Sequence, residues 1–98
     1  MRVTLNREVY SDLESIMEYY VQQTGSQVAA KFYAEFLLCR RIIGERPKSF
    51  PVVRNDIRRI NFHTFPHHIL FQIIDEKVVK ILIVKHDHRD PVFGTERP

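Results

Sequence analysis

The spacing of hydrophobic residues changes once along this chain, from the period of a helix to the period of a strand. After a short segment of β-favouring residues at positions 2–5, apolar residues recur every three or four positions as far as residue 43. Beyond a loop at residues 47–53, apolar residues alternate with polar ones or form short continuous runs. The pattern predicts one strand, then two helices, then three strands.

The two helical stretches are bounded by residues typical of helix ends. Asn6 and Ser26 precede them and are expected to be N-caps, because their side-chain oxygens can accept hydrogen bonds from free backbone N–H groups. Gly25 is expected to end the first helix, and Gly44 with Pro47 the second. The short link between the helices predicts an antiparallel hairpin. The apolar stripes are Val9, Leu13, Ile16, Met17 and Tyr20 in the first helix, and Val28, Phe32, Phe36, Cys39 and Ile43 in the second.

Three strands are predicted in the second half of the chain, at residues 57–62, 69–74 and 78–84. Residues 75–77, Asp-Glu-Lys, are expected to form a hairpin turn between the last two. Helices segregated from strands in this way indicate an α+β fold. We therefore predict a single domain over residues 1–98: an N-terminal strand, an antiparallel helical hairpin, and a three-strand antiparallel meander that completes one small twisted sheet.

Composition excludes several classes of protein. A chain of 98 residues with 44% hydrophobic and 28% charged residues suits one modest globular core. No apolar run approaches the roughly 20 residues of a membrane span, and no signal peptide is recognisable, so we expect a cytoplasmic protein without membrane contact. The single cysteine, Cys39, is expected to be a buried packing residue. No phosphate loop, zinc spacing or nucleophile motif is present, so no cofactor, metal or metabolic reaction is expected.

Positive charge is concentrated in the middle of the chain. The net charge is +3, but residues 40–63 contain seven cations against the anions Glu45 and Asp56. A cluster of cations favours a polyanion or an acidic protein as partner, whereas an ordinary solvated surface is the simpler alternative. The seven cations are Arg40, Arg41, Arg46, Lys48, Arg54, Arg58 and Arg59.

Several short phrases, taken in order, resemble the RelE/ParE toxins of bacterial type II toxin–antitoxin systems. The phrases lie at residues 12–20 (Asp-Leu, Ile, Tyr-Tyr), 46–51 (Arg-Pro and Phe-Pro), 65–71 (Phe-Pro-His-His-Ile-Leu-Phe) and 84–91 (Val-Lys-His-Asp-His-Arg-Asp-Pro). They cover nearly the whole chain. The resemblance implies a helical hairpin over a small twisted sheet and a growth-inhibiting toxin, with either of two mechanisms: ribosome-dependent cleavage of messenger RNA, or inhibition of DNA gyrase without catalysis.

The strand that begins with His67-His68 and the close at residues 86–89 look more like the ParE branch of the family, and this resemblance implies a gyrase inhibitor. Cleavage of RNA needs cations and groups that transfer protons, and His86 and His88 titrate in a suitable range. For the ribonuclease branch, however, the resemblance implies an arginine near the strand at 69–74 and a tyrosine or histidine near the C-terminus. Here His67-His68 and Phe93 occupy those places, and phenylalanine cannot transfer a proton. We assign no catalytic residue; were the chain an enzyme, it would be a metal-independent endoribonuclease. The expected target-binding residues are Arg54, Arg58, Arg59, His86 and Arg89.

The resemblance also implies a cognate antitoxin that covers part of the toxin. Tyr10, Tyr19 and Tyr33 are expected to be partly exposed and to bind it, because the helices carry more aromatic residues than their inward stripes need. A third hypothesis is a non-toxic module that binds nucleic acid. His86 and His88 could share one side of a strand, but without a third ligand we read them as the polar end of that strand and expect no metal.

Overall fold

The computed structural model describes all 98 residues and confirms the α+β prediction. Five strands form one mixed sheet in the order β1-β5-β4-β3-β2, in which β1 runs parallel to β5 and the other neighbours are antiparallel. Neither helix combines the length and apolar composition needed to cross a membrane. The elements are β1 (Arg2–Leu5), α1 (Glu8–Thr24), α2 (Ser26–Glu45), a 3-10 turn (Pro47–Ser49), β2 (Val52–Arg54), β3 (Ile57–Asn61), β4 (His67–Ile73) and β5 (Val78–His86).

The sheet has one strand more than the sequence predicts. Val52–Arg54, which falls in the expected loop and at its end, forms the edge strand β2 against β3, so the meander has four strands instead of three. All three of its residues are exposed. A strand this short, without a buried side, shows no alternation of apolar and polar residues that a sequence pattern could reveal.

The predicted helix starts are correct in one case and wrong in the other. The side-chain oxygen of Asn6 accepts the backbone N–H of Glu8 at 2.9 Å, which satisfies one of the free N–H groups at the start of α1. Ser26 is already the first residue of α2 and makes no capping hydrogen bond. The turn is made by Gly25, whose φ of 102° suits glycine and whose N–H donates to the carbonyls of Tyr20 and Val21.

The main core lies between the helical hairpin and one face of the sheet. Phe32, Phe36 and Ile43 of α2 are at most 1% exposed and pack with Val9 of α1 against the buried side chains of β4 and β5. Each such side chain contributes roughly 1.5–3 kcal/mol by burial. The helices therefore cover this face over the main core. The opposite face of the sheet is here called the outer face.

Residues 87–98, here called the tail, fold back across the outer face. The sheet carries a second, smaller cluster there, made of Ile57, Leu70, Leu82 and Ile83, all buried. Gly94 packs directly on Ile83: a Cβ added at Gly94 would lie closer than 3.0 Å to three atoms of that side chain. The tail thus completes a second layer over a sheet face that would otherwise be apolar and exposed.

Candidate functional site: an arginine-lined pocket on the outer face

The register of the sheet places two arginines on the outer face. Arg54 of β2 lies opposite Ile57 of β3, and Arg59 of β3 lies opposite Leu70 of β4. Directly paired residues point to the same face, and Ile57 and Leu70 belong to the outer-face cluster. Asn55, with a φ of 52°, makes the tight turn that follows Arg54. Both guanidinium groups therefore stand beside the tail.

A pocket between the sheet and the tail brings these arginines together with Arg89. Its cavity of about 150 Å³ is roughly ten times the 10–15 Å³ that one water molecule requires. We call it the arginine pocket. It is lined by Val53, Arg54, Arg59, His68, Leu70, Asp87, Arg89, Pro91, Val92 and Thr95.

The pocket has more positive charge than its own carboxylate can neutralise. Asp87 is the only acidic residue in the lining. Its Oδ1 atom lies 2.9 Å from His68 Nδ1 and 3.5 Å from Arg59 Nη2. Arg54 and Arg89 form no ion pair. The Arg89 guanidinium instead lies over the Phe93 ring, 3.9 Å from its centroid. Three arginines against one carboxylate leave the pocket with two uncompensated cations.

His68 is kept neutral near physiological pH. The side chain is 3% exposed, and burial lowers the pKa of the His68 imidazole because the charged form loses its hydration. The hydrogen bond to Asp87 opposes this shift, and the nearby Arg59 adds to it. The positive charge of the pocket therefore comes from its three guanidinium groups and not from His68.

Lys85 fixes the tail segment that forms the pocket wall. Its ammonium donates to the backbone carbonyls of Asp90, Pro91 and Phe93 at 2.9, 3.1 and 2.8 Å. Lys85 is 3% exposed, and burial lowers the pKa of the ammonium. Three carbonyls in place of water satisfy all three donors of the ammonium, so Arg89 is presented from an ordered backbone.

Arg97 and Asp12 close the open edge of β5 beside the tail. β1 pairs with β5 only as far as Ile81, which leaves backbone groups further along β5 without a neighbouring strand. Arg97 donates to the carbonyl of Leu82 at 3.0 Å, and Asp12 accepts the N–H of Val84 at 3.2 Å. The two side chains bind each other through two contacts of 2.7 and 3.0 Å. This pair replaces the missing strand and ties the tail to α1.

The pocket gathers three of the five arginines and histidines predicted to bind the target. Arg54, Arg59 and Arg89 line it. Arg58 lies on the opposite face of β3 and donates to the carbonyls of Phe50 and Lys48, so its contacts are with the preceding loop. His86 also lies outside the pocket, with its ring centroid 5.2 Å from that of His67 on the helix side of the sheet.

The tyrosines predicted to bind the antitoxin are exposed but do not form one patch. Tyr10, Tyr19 and Tyr33 are 63%, 59% and 42% exposed. Tyr10 and Tyr19 are nine residues apart on α1, which at 3.6 residues per turn puts them about 180° apart around the helix. Tyr19 lines a separate, mostly apolar groove with Tyr20 and His67. A partner that contacts all three tyrosines must wrap around the hairpin.

Histidines cluster at the end of β4 and β5 without forming a metal site. His88 lies beyond β5, donates its backbone N–H to His86 Nδ1 at 3.0 Å and stacks on that ring. His67 is 5% exposed, and burial together with the neighbouring His86 lowers the pKa of its imidazole to about 4. No group of three His, Cys, Asp or Glu side chains converges on a common point.

Three sets of contacts that hold this region together were not predicted from the sequence: His68 with Asp87, Lys85 with the carbonyls of the tail, and Arg97 with Asp12. These contacts join residues up to 85 positions apart in sequence, as for Asp12 and Arg97. The alternation along β4 and β5 would have placed His68 beside Lys85 had the register been known, because the two are directly paired. No local signal could have revealed the partner of Arg97.

Comparison with known proteins gives a matching family model and similar solved structures, one of which is described here. The model of the family described as "ParE toxin of type II toxin-antitoxin system, parDE" matches residues 3–91. The solved structure, described as "Chromosomal ParDE TA system from P. aeruginosa", has a TM-score of 0.78 and 19% sequence identity, over 88% of this chain and 95% of that chain. At that identity the likeness concerns the fold, and it extends to the whole strand-helix-helix-strands arrangement. No curated protein is significantly similar to this chain.

Proposed function

Because the chain belongs to the ParE toxin family of type II toxin–antitoxin systems, we propose that it arrests bacterial growth by binding DNA gyrase in the cytoplasm. The outer face around the arginine pocket is the surface that contacts the target. Membership of the family also implies a cognate ParD antitoxin as partner.

The preformed outer face is the observation that carries this proposal. A protein inhibitor needs a rigid surface that combines charge with apolar area, because ordering a flexible surface on binding costs affinity. Lys85 and Arg97 fix the tail, and the exposed side chains Val53 and Val92, 50% and 45% exposed, flank the cations of the pocket. Phe93 carries no group that transfers protons, and one side of its ring faces Arg89.

Ribosome-dependent cleavage of messenger RNA is the second candidate, and one contact favours it. His68 and Asp87 form a histidine–carboxylate pair beside three arginines. Such a pair can orient an imidazole as a base, and arginines can stabilise a pentavalent phosphate. The 3% exposure of His68 weighs against this role, since a base must come within hydrogen-bond distance of the hydroxyl that it deprotonates.

For the ParD antitoxin we propose a segment that wraps around the helical hairpin. The exposed rings of Tyr10, Tyr19 and Tyr33 supply apolar contact area on different sides of the hairpin. Alanine at Tyr19 or Tyr33 should weaken binding of the antitoxin while growth arrest by the free toxin is unchanged. Normal antitoxin binding by both variants would assign these tyrosines to another role.

The two candidate mechanisms can be separated with purified protein. We expect it to inhibit supercoiling by gyrase and to leave messenger RNA intact on translating ribosomes. Arg54→Ala and Arg89→Ala should reduce growth arrest, whereas Arg41→Ala, which removes the same charge from the exposed side of α2, should not. Cleavage of messenger RNA together with undisturbed supercoiling would replace gyrase by the ribosome as the target.

A further inference from the structure

We infer that the arginine pocket binds a phosphate group of duplex DNA, an inference that rests on the proposed function insofar as gyrase is the protein that holds this DNA. The arginines then contact the nucleic acid, and the apolar rim contacts the protein.

The pocket lacks an anion. Two of its three guanidinium groups have no carboxylate partner, and the carboxylate of Asp87 is already bound by His68 and Arg59. Like charges brought together around one cavity repel each other and favour an anion between them. A phosphate group matches this demand, because guanidinium groups bind phosphate oxygens through two parallel hydrogen bonds.

The stacking of Arg89 leaves its hydrogen-bond donors free for such an anion. The Cζ atom of Arg89 lies over the Phe93 ring, 3.9 Å from its centroid, and the Arg89 guanidinium donates no hydrogen bond within the protein. Its N–H donors are therefore available to an anion. Phe93 thus holds the group in position without occupying its donors, and the Lys85 contacts fix the backbone that directly follows Arg89.

The neighbourhood of the pocket fits a duplex backbone better than a single strand. Proteins that bind single-stranded RNA or DNA offer exposed aromatic rings on which bases stack. The lining of the pocket contains no phenylalanine, tyrosine or tryptophan, and its one aromatic ring, the imidazole of His68, is 3% exposed. The adjacent Phe93 has one face covered by Arg89. A duplex keeps its bases stacked inside and presents its phosphates outward. A small cavity lined by arginines can bind such a phosphate without contacting a base.

The test is a binding measurement with a fluorescently labelled duplex oligonucleotide over a series of salt concentrations. Arg54→Gln and Arg89→Gln should each weaken binding by roughly tenfold, the loss expected for one charged hydrogen-bonding contact. Each should also lower the slope of log affinity against log salt by about 0.9, because one cation fewer neutralises the charge of the phosphates. Arg54 makes no side-chain hydrogen bond, so its replacement leaves the fold intact.

Arg41→Gln is the matched control, since it removes one exposed, unpaired arginine far from the pocket on α2. Unchanged affinity and slope in this variant are expected. Equal losses for Arg41→Gln and Arg54→Gln would overturn the inference, because they would show a diffuse charge effect. Absence of duplex binding by the unmodified protein would also overturn it. So would tighter, pocket-dependent binding of a single-stranded RNA of the same sequence.

Competition with pyrophosphate gives an independent reading of the same pocket. Pyrophosphate should release the duplex from the unmodified protein at a lower ionic strength than sodium chloride does. Arg89→Gln should remove that difference between the two salts. Equal potency of the two salts would argue against a phosphate site.

Failure of this inference is distinguishable from failure of the proposed target. Duplex binding with the expected variant pattern, but without inhibition of supercoiling, would keep the phosphate site and reject gyrase. Inhibition of supercoiling without any duplex binding would keep gyrase and reject the phosphate site.

Discussion

Replacing Arg97 by methionine should destabilise the protein severely, because it leaves the carboxylate of Asp12 in a half-closed site without its partner. The Arg97 and Asp12 side chains are 11% and 12% exposed and share two contacts, and Arg97 also reaches Glu8 at 2.9 Å. After the change, Asp12 keeps only the N–H of Val84. The hydrophobic stem of methionine fills most of the volume, so the loss is mainly electrostatic.

The expected loss is about 3 kcal/mol in the free energy of unfolding. Breaking a buried ion pair from one side costs roughly 3–5 kcal/mol, and we take the lower end because the pair borders on solvent. For a domain of this size, each kcal/mol lowers the melting temperature by roughly 4–8 °C. The Tm of Arg97→Met should therefore fall by roughly 12–24 °C.

Urea unfolding and calorimetry of four proteins measure this loss: the unmodified chain, Arg97→Met, Asp12→Leu and the double variant. The double variant should be more stable than the sum of the single losses predicts, by roughly 1–3 kcal/mol, since neither charge is then left alone. Arg41→Met, on the exposed side of α2, should stay within about 0.5 kcal/mol of the unmodified protein. A similarly small change for Arg97→Met would refute the reasoning, because water would then replace the ion pair at no cost.

Three further predictions concern single residues. Burial lowers the pKa of His67 to about 4 in the folded state, below the ordinary value of 6.5, so the unfolded chain takes up a proton first as the pH falls. The free energy of unfolding should therefore decline by about 3 kcal/mol between pH 6.5 and pH 4. Urea unfolding of His67→Gln should show a smaller decline over the same range. Gly94→Ala should loosen the tail and make it susceptible to trypsin, because Gly94 has a φ of 86° and no space for a Cβ beside Ile83. The control Gly25→Ala, at a φ of 102° but with free space around it, should leave cleavage of the tail unchanged. Burial raises the pKa of the Cys39 thiol to about 11, so iodoacetamide should label it only after unfolding, and fast labelling of the native protein would contradict its buried position.

The regular parts of the fold could be predicted because their periods are set by local geometry. Phe32, Phe36 and Ile43 recur at helical spacing and are buried on one side of α2. The strand β2 could not be predicted, since Val52–Arg54 is held by pairing with β3 and has no buried side. Ser26 misled for a related reason: serine suits an N-cap, but the flexible Gly25 makes the turn instead.

The arginines of the candidate site could be predicted from the sequence, but their arrangement and the pairing of His68 with Asp87 could not. The basic character of Arg54, Arg59 and Arg89 is evident in the sequence, but their meeting depends on how the tail returns across the sheet. Arg58 was separated from Arg59 by strand alternation, which sends neighbouring residues to opposite faces. His86 lies outside the arginine pocket because the sheet register places it beside His67, on the helix side of the sheet.

The position of β5 in the sheet has a consequence for how the protein is made. β1 has no neighbour other than β5, and Arg2 pairs with Val78. The first strand therefore cannot join the sheet until nearly the whole chain has been synthesised. At 5–20 residues per second, a ribosome takes roughly 4–17 s to reach the end of β5. During this interval the helical hairpin exists without the sheet that covers its apolar side. The arginine pocket, which is built from β2, β3, β4 and the tail, therefore cannot form until translation is nearly complete.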